Sequence, residues 1–287
     1  MNRLPVPAEP RREEAVRMAC RALLACGVRR LPPDPEQVAR EMDFQLHPLS
    51  FYGEILRREN VDLIRRTGGG EAFTLSRGQQ FWIVYNETVS SPERIRFSVF
   101  HEFGHILLRH FDMGEEAALT EGQHRTLEEE ANIFARNFFC PPPVADLIRG
   151  DLRDPRWARL FCVSDSAWQA RIGTLEADRR YIDGHTADRI RIQFREYMFG
   201  RRCRECGLVF TDEARQGRCP GCGSRFLQWN PAMETRQQAG ARRHVAGARA
   251  EDLRPRVGEE KNPDLTRYWE LIRAEEKREK TIKERWT

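Results

Sequence analysis

His101, Glu102 and His105 stand in the order His-Glu-Phe-Gly-His, and residues four apart on an α-helix lie one above the other on a single face. Two imidazoles so placed can grip one metal ion from one side. Glu102 then projects toward the ion's open position, where it can take a proton from a water. This is the chemistry of metal-assisted hydrolysis: zinc lowers the pKa of water to about 7, and a carboxylate within hydrogen-bond reach completes the activation. Histidine is scarce, seven residues in 287, so the spacing is not one that chance supplies readily. Arg96, Phe97, Val99 and Phe100 lead in, and Ile106, Leu107 and Leu108 follow, which makes an apolar segment of helical length. Burying two histidines and a glutamate there is costly unless something pairs with them. A metal does so; a satisfied pair of core histidines is the competing explanation.

A catalytic metal needs a third protein ligand, and the acidic run Glu128-Glu129-Glu130-Ala131-Asn132 is the next candidate. The run opens a second helical segment with Leu127, Ala131, Phe134, Ala135 and Phe138 on its apolar face. Glu128 shares that inward face, Glu129 turns toward solvent and Glu130 is intermediate, so Glu128 is favoured as ligand with Glu130 as its rival. Asn132, one turn beyond Glu128, can hydrogen-bond a ligating histidine from behind. An acidic first turn that merely complements the helix dipole is the alternative.

The stretches 96–108, 128–135 and 138–141 together resemble the ImmA/IrrE-type metallopeptidases. The segments Pro32 to Phe44 and Leu160 to Leu175 add to the likeness, which covers most of residues 11–180. It implies that the first acidic residue of the E-x-x-A-N pattern, Glu128 here, is the third zinc ligand. It also implies a cytoplasmic protease that cuts helix-turn-helix repressors and so switches on mobile-element or stress-response genes. Residue spacing alone gives only a metal-dependent hydrolase. One departure is Phe138-Phe139-Cys140-Pro141 where the family has a leucine-rich helix end, a change that leaves the ligands untouched.

Four of the eight cysteines, Cys203, Cys206, Cys219 and Cys222, form C-x2-C-x12-C-x2-C. Two such knuckles can supply a tetrahedral structural zinc site with no open position and hence no chemistry. Gly207, Gly221 and Gly223 suit the tight turns, and short strands at Leu208 to Phe210 and Phe226 to Trp229 are expected after the knuckles. Two disulfides or a redox role are the alternatives, the former disfavoured in a reducing compartment. Cys20, Cys26, Cys140 and Cys162 sit among apolar residues and read as buried free thiols.

The elements that must position these groups follow from periodicity. Residues 13–26 and 36–42 read as helices, Phe44 to Leu49 as a strand. Ala72 to Leu75 and Gln80 to Asn86 read as two further strands around a turn at Gly78. Their edge can pair with extended substrate backbone. Trp82 and Tyr85 are read as core rather than substrate contacts. Residues 155–199 look helical. The expected fold class is α+β: a zincin-like metallopeptidase domain at 11–199, mostly helical with a small antiparallel sheet, and a four-cysteine zinc ribbon at 200–230. A flexible linker at 231–261 and a charged helix at 262–287 complete the chain. His110, His124 and Tyr85 are candidates for stabilising a developing oxyanion.

Charged residues make up 32% of the chain, and no apolar run approaches the roughly 18–20 residues that span a bilayer. The start lacks the apolar core of a signal peptide, so a cytoplasmic protein without a membrane partner is expected. Oligomeric state is not readable. Residues 201–287 carry 20 Lys/Arg against 14 Asp/Glu, within a chain of net +4. That balance allows a weak nucleic-acid contact through the basic C-terminal region. The expected function is zinc-dependent cleavage of a repressor, using one catalytic and one structural Zn²⁺. The alternatives are a nucleic-acid- or protein-binding regulator with the zincin fold as a sensor, and a general secreted peptidase, which the missing signal sequence disfavours.

Overall fold

Val16, Ala19, Cys20 and Leu23 recur at helical spacing, and they form the buried side of α1 (Arg12–Ala25). Asp34 caps α2 (Pro35–Glu41) by accepting from the Glu36 N–H, with a proline in the first turn where its missing donor costs nothing. The computed structural model describes residues 4–51, 71–77, 80–113, 119–148, 151–212, 214 and 216–229. The linker expected at 231–261, the helix expected at 262–287 and the turn at Gly78 lie outside the described residues.

Strands β1 (Gln45–Pro48), β2 (Ala72–Arg77) and β3 (Gln80–Tyr85) form one sheet in the order β1-β3-β2. β2 runs antiparallel to β3, with Ala72 opposite Tyr85 and Thr74 opposite Ile83. β1 adds on the other side in parallel, Gln45 opposite Trp82, so the small sheet is mixed rather than purely antiparallel. Residue pattern marks a strand but carries no pairing direction, so the parallel partner emerges only in the fold. The central strand is covered on both faces: Trp82, Ile83, Val84 and Tyr85 are all buried, so Trp82 and Tyr85 belong to the core. Among the described residues β2 is an edge strand.

Helix α3 (Pro92–Leu107) begins where the Ser91 hydroxyl accepts from the Arg94 N–H, and it packs on β2 and β3. Against its other side lies α4 (Glu121–Phe139). This helix starts well before the acidic run. The Thr120 hydroxyl accepts from the Gln123 N–H while the Gln123 side chain accepts from the Thr120 N–H, a reciprocal cap. Glu128 to Glu130 are therefore mid-helix, and the dipole explanation for the run falls away. Phe100 stacks on Phe138 at 4.7 Å between centroids, with Phe103 and Phe134 also buried.

Five short to medium helices follow: α5 (Pro142–Ala145), α6 (Arg156–Phe161), α7 (Asp165–Arg179), α8 (Gly184–Gln193) and α9 (Arg195–Phe199). Asp178 on α7 is buried and accepts from Arg136 at 2.7 Å and from Asn137 at 2.9 Å; Arg171 also donates to it. Arg171 in turn donates to the Asn137 side chain at 2.8 Å and to the Cys140 carbonyl at 2.9 Å. This network clamps the C-terminal half of α4. Strand β4 (Gly200–Cys203) leaves α9 directly and pairs antiparallel with β5 (Val209–Thr211) and β6 (Leu227–Trp229). No helix among the described residues is long and apolar enough to cross a membrane.

Candidate metal centre

Helices α3 and α4 approach closely at Gly104. A Cβ there would meet the Ala131 Cα at 3.1 Å and the Ala131 carbonyl oxygen at 3.2 Å. Only a residue without a side chain lets the helices come this near, and the approach brings Glu128, one turn before Asn132, over the two histidines. Glu128 faces His101 Nε2 at 3.1 Å and His105 Nε2 at 3.3 Å, and the two Nε2 atoms are 3.0 Å apart. One donor atom from each residue lies within 4.8 Å of the others.

Those separations test whether a metal would fit. A tetrahedron of N and O ligands at about 2.0–2.1 Å from zinc has edges of about 3.3 Å, close to what the three atoms show. The chemistry of the donor set agrees. An imidazole that offers Nε2 to a metal carries its proton on Nδ1 and needs an acceptor there. His101 Nδ1 lies 3.2 Å from the Asn132 side-chain oxygen, the support expected for Asn132. His105 Nδ1 lies 2.9 Å from His110 Nδ1. Both rings are thus held from behind with Nε2 free to face inward.

Glu102 sits beside this triad, and the Thr74 hydroxyl on edge strand β2 donates to its carboxylate at 2.7 Å. Burial raises the Glu102 pKa, while His105, His101 and the Thr74 bond oppose the shift. A carboxyl moved upward from its usual range is better matched to accepting and returning a proton near neutrality. Thr74 carries no motif, and only the sheet register places it here.

Glu130, the rival third ligand, is fully buried and turned away from the triad. It accepts from His110 Nε2 at 2.9 Å, from the Arg11 guanidinium at 2.6 Å and from the Arg11 backbone N–H at 2.7 Å. These three donors account for the carboxylate, and of the two rivals it is Glu128 that faces the histidines. His110 stands behind His105 and does not face the open side. Burial lowers the His110 pKa, outweighing the bond to Glu130; a neutral ring here can accept at Nδ1 and donate at Nε2. Tyr85 is buried in the sheet. His124 lies one turn before Glu128 on the same face of α4.

The four cysteines Cys203, Cys206, Cys219 and Cys222 also come together. Sγ of Cys203 and Cys222 are 3.6 Å apart, and those of Cys206 and Cys219 are 3.5 Å apart. A tetrahedron of thiolates at about 2.3 Å from zinc has edges of about 3.8 Å. The knuckles repeat one design: Gly207 N–H bonds the Cys203 carbonyl and Gly223 N–H the Cys219 carbonyl, each glycine at positive φ. Backbone donors, that of Cys206 foremost, lower the Cys203 thiol to about 6. Cys222 has the Ser224 N–H lowering it, yet the surrounding thiols push it up to about 12. Four thiolates cannot coexist at this range without a cation. The remaining cysteines behave as expected in part: Cys20, Cys26 and Cys140 are buried, whereas Cys162 is half-buried in a left-handed turn after α6.

Layout and fold define an α+β domain with a His-Glu-x-x-His helix facing an acidic helix. Residues 60–172 match the model of the Peptidase_M78 family, described as the IrrE N-terminal-like domain. That match suggests a zinc metallopeptidase. No curated protein matches the chain.

Proposed function

We propose that the protein is a zinc-dependent endopeptidase whose metal is held by His101, His105 and Glu128. The observation that carries this reading is the mutual facing of those three donor atoms, each histidine backed on its far nitrogen. A bound zinc ion supplies Lewis acidity toward the scissile carbonyl and lowers the pKa of water. Glu102 takes the proton of the attacking water and returns it to the departing amine, and Thr74 fixes the carboxylate for both transfers. Strand β2, an edge strand among the described residues, reaches Glu102 through Thr74 and can receive an extended peptide as an added strand. The four cysteines hold a second, structural zinc that takes no part in the reaction.

The substrate is a helix-turn-helix repressor, a reading that rests on the family likeness. Incubating the zinc-loaded protein with repressors encoded nearby, beside Glu102→Gln, tests it. Time-dependent fragments with the wild type only are expected. Casein cut as readily as every repressor would contradict the proposed selectivity.

A second role is favoured by one observation. Arg202 lies opposite Val209 and Gln228, and Phe226 lies two residues before Gln228, so all share one face of the ribbon sheet. Phe226 is 68% exposed and Val209 52% exposed, with Arg202 and Arg204 also at the surface. Aromatic and cationic groups so exposed suit a nucleic acid. Salt titration of oligonucleotide binding by the full chain tests this: affinity should fall as salt rises and weaken in Phe226→Ala. Salt-independent or absent binding would dismiss it.

A further inference from the structure

Behind His105 runs a chain of polar contacts that ends on a residue far from the motif in sequence. His105 Nδ1 meets His110 Nδ1 at 2.9 Å, His110 Nε2 meets Glu130 at 2.9 Å, and Glu130 is gripped by Arg11 through backbone and side chain. Every link has consistent proton placement. If His105 offers Nε2 to a metal, its Nδ1–H donates to His110 Nδ1; His110 then carries its proton on Nε2 and donates to the Glu130 carboxylate. Glu130, fully buried, is balanced by the Arg11 guanidinium, which also donates to the Leu108 carbonyl at the end of α3.

The backbone is shaped for this chain. Arg109 adopts a left-handed conformation, φ 62°, directly after α3, a costly choice for a residue with a side chain. The turn it makes brings His110 back beneath His105 instead of continuing outward. The N-terminal segment is tied across the same turn, with the Leu4 N–H bonded to the Asp112 carbonyl at 2.9 Å. A buried carboxylate, a buried imidazole and an arginine from outside the motif serve no apolar packing need. A fully apolar contact there would cost less.

We propose that Arg11, acting through Glu130 and His110, is a positioning residue for the His105 ring, so that the N-terminal segment sets how tightly the catalytic site holds its metal. The inference rests on His101, His105 and Glu128 being the zinc ligands. Loss of supporting contacts behind a ligating histidine typically weakens metal binding about 10–100-fold.

Zinc affinity of the full chain, measured by chelator competition, tests it, with the four-cysteine site as an internal standard in the same molecule. Arg11→Met and Glu130→Gln should weaken the histidine site about 10–100-fold and leave the cysteine site unchanged, and Arg11→Lys should recover part of the loss. Arg12→Ala is the control, because Arg12 pairs with Glu129 across the same two helices outside the chain of contacts. An Arg12→Ala effect equal to that of Arg11→Met would mean that helix docking matters and the chain does not, which overturns the proposal. So would histidine-site affinities within about threefold of wild type in Arg11→Met and Glu130→Gln. His105→Ala separates the two levels: if it keeps full zinc affinity, the ligand assignment itself fails. Should the variants not fold, nitrogen chemical shifts of the zinc-loaded wild type decide. His105 protonated at Nδ1 and His110 at Nε2 are expected, and either opposite tautomer overturns the chain.

Discussion

The His101, His105 and Glu128 atoms come from two long helices, and their supports reach to β2, to the turn after α3 and to the N-terminal segment. The four cysteine sulfurs come from two turns within residues 203–222, with supports drawn from the backbone of the same knuckles. The first arrangement presents three donors and a buried carboxylate, Glu102, beside them. The second presents four thiols, with no carboxylate or imidazole in the cluster. Distant support is what a reactive site requires, because ligands held from behind by other elements leave their front open. Local support suffices where the ion's task is to hold a small fold together.

Breaking this contrast has the largest effect at Glu102. Glu102→Gln keeps the shape and both zinc sites but removes the proton acceptor, so cleavage should fall about 10²–10⁴-fold with zinc content unchanged. Activity near wild type would remove Glu102 from the proposed mechanism. At the other site, Cys206→Ser with Cys219→Ser should abolish zinc binding by the knuckles. Amide protection over β4 to β6 should go with it, while metal at the histidine site stays within about threefold. A parallel loss at the histidine site would show that the two regions are not separately supported.

The far end of α4 gives a third handle. Burial pushes the Asp178 carboxyl up, but bonds from Arg136 and the charge of Arg171 outweigh it and hold the pKa below the ordinary carboxylate range. A depressed folded pKa means stability that is fully present above the unfolded value of about 3.9 and lost as pH falls through the lower folded value. Asp178→Asn strands two arginines and should cost about 3–5 kcal/mol in urea unfolding at pH 7. The wild type should lose that advantage below about pH 4. Equal acid sensitivity in the variant would contradict the assignment. The smallest effect is expected at Gly104. Gly104→Ala presses on the Ala131 backbone, should cost about 1–3 kcal/mol and should loosen zinc at the histidine site alone.

Much of the catalytic arrangement is legible in the sequence because its determinants are local. Spacing of four stacks His101 and His105, and spacing of four sets Asn132 one turn beyond Glu128. The two knuckles are legible for the same reason. What escapes is what tertiary contact decides. Glu130 stays a rival to Glu128 until Arg11, 119 residues away, is brought to it at the start of α1. His110 looks like a substrate-facing donor until the left-handed Arg109 turns it beneath His105. Thr74 reaches Glu102 only through the β2–β3 register, and the parallel pairing of β1 has no signature in its four residues. One local signal does lie in the residues themselves: the Thr120–Gln123 spacing of a reciprocal cap marks a helix start that puts the acidic run mid-helix.

The most direct test counts zinc by native mass spectrometry in the wild type and in Glu128→Ala and His105→Ala. Two ions per chain are predicted for the wild type, matching the two donor clusters, and one for each variant, the ion that remains being released by thiol modification. Variants that keep both ions, or lose the cysteine-bound one first, would contradict the assignment of His101, His105 and Glu128 as the catalytic zinc site.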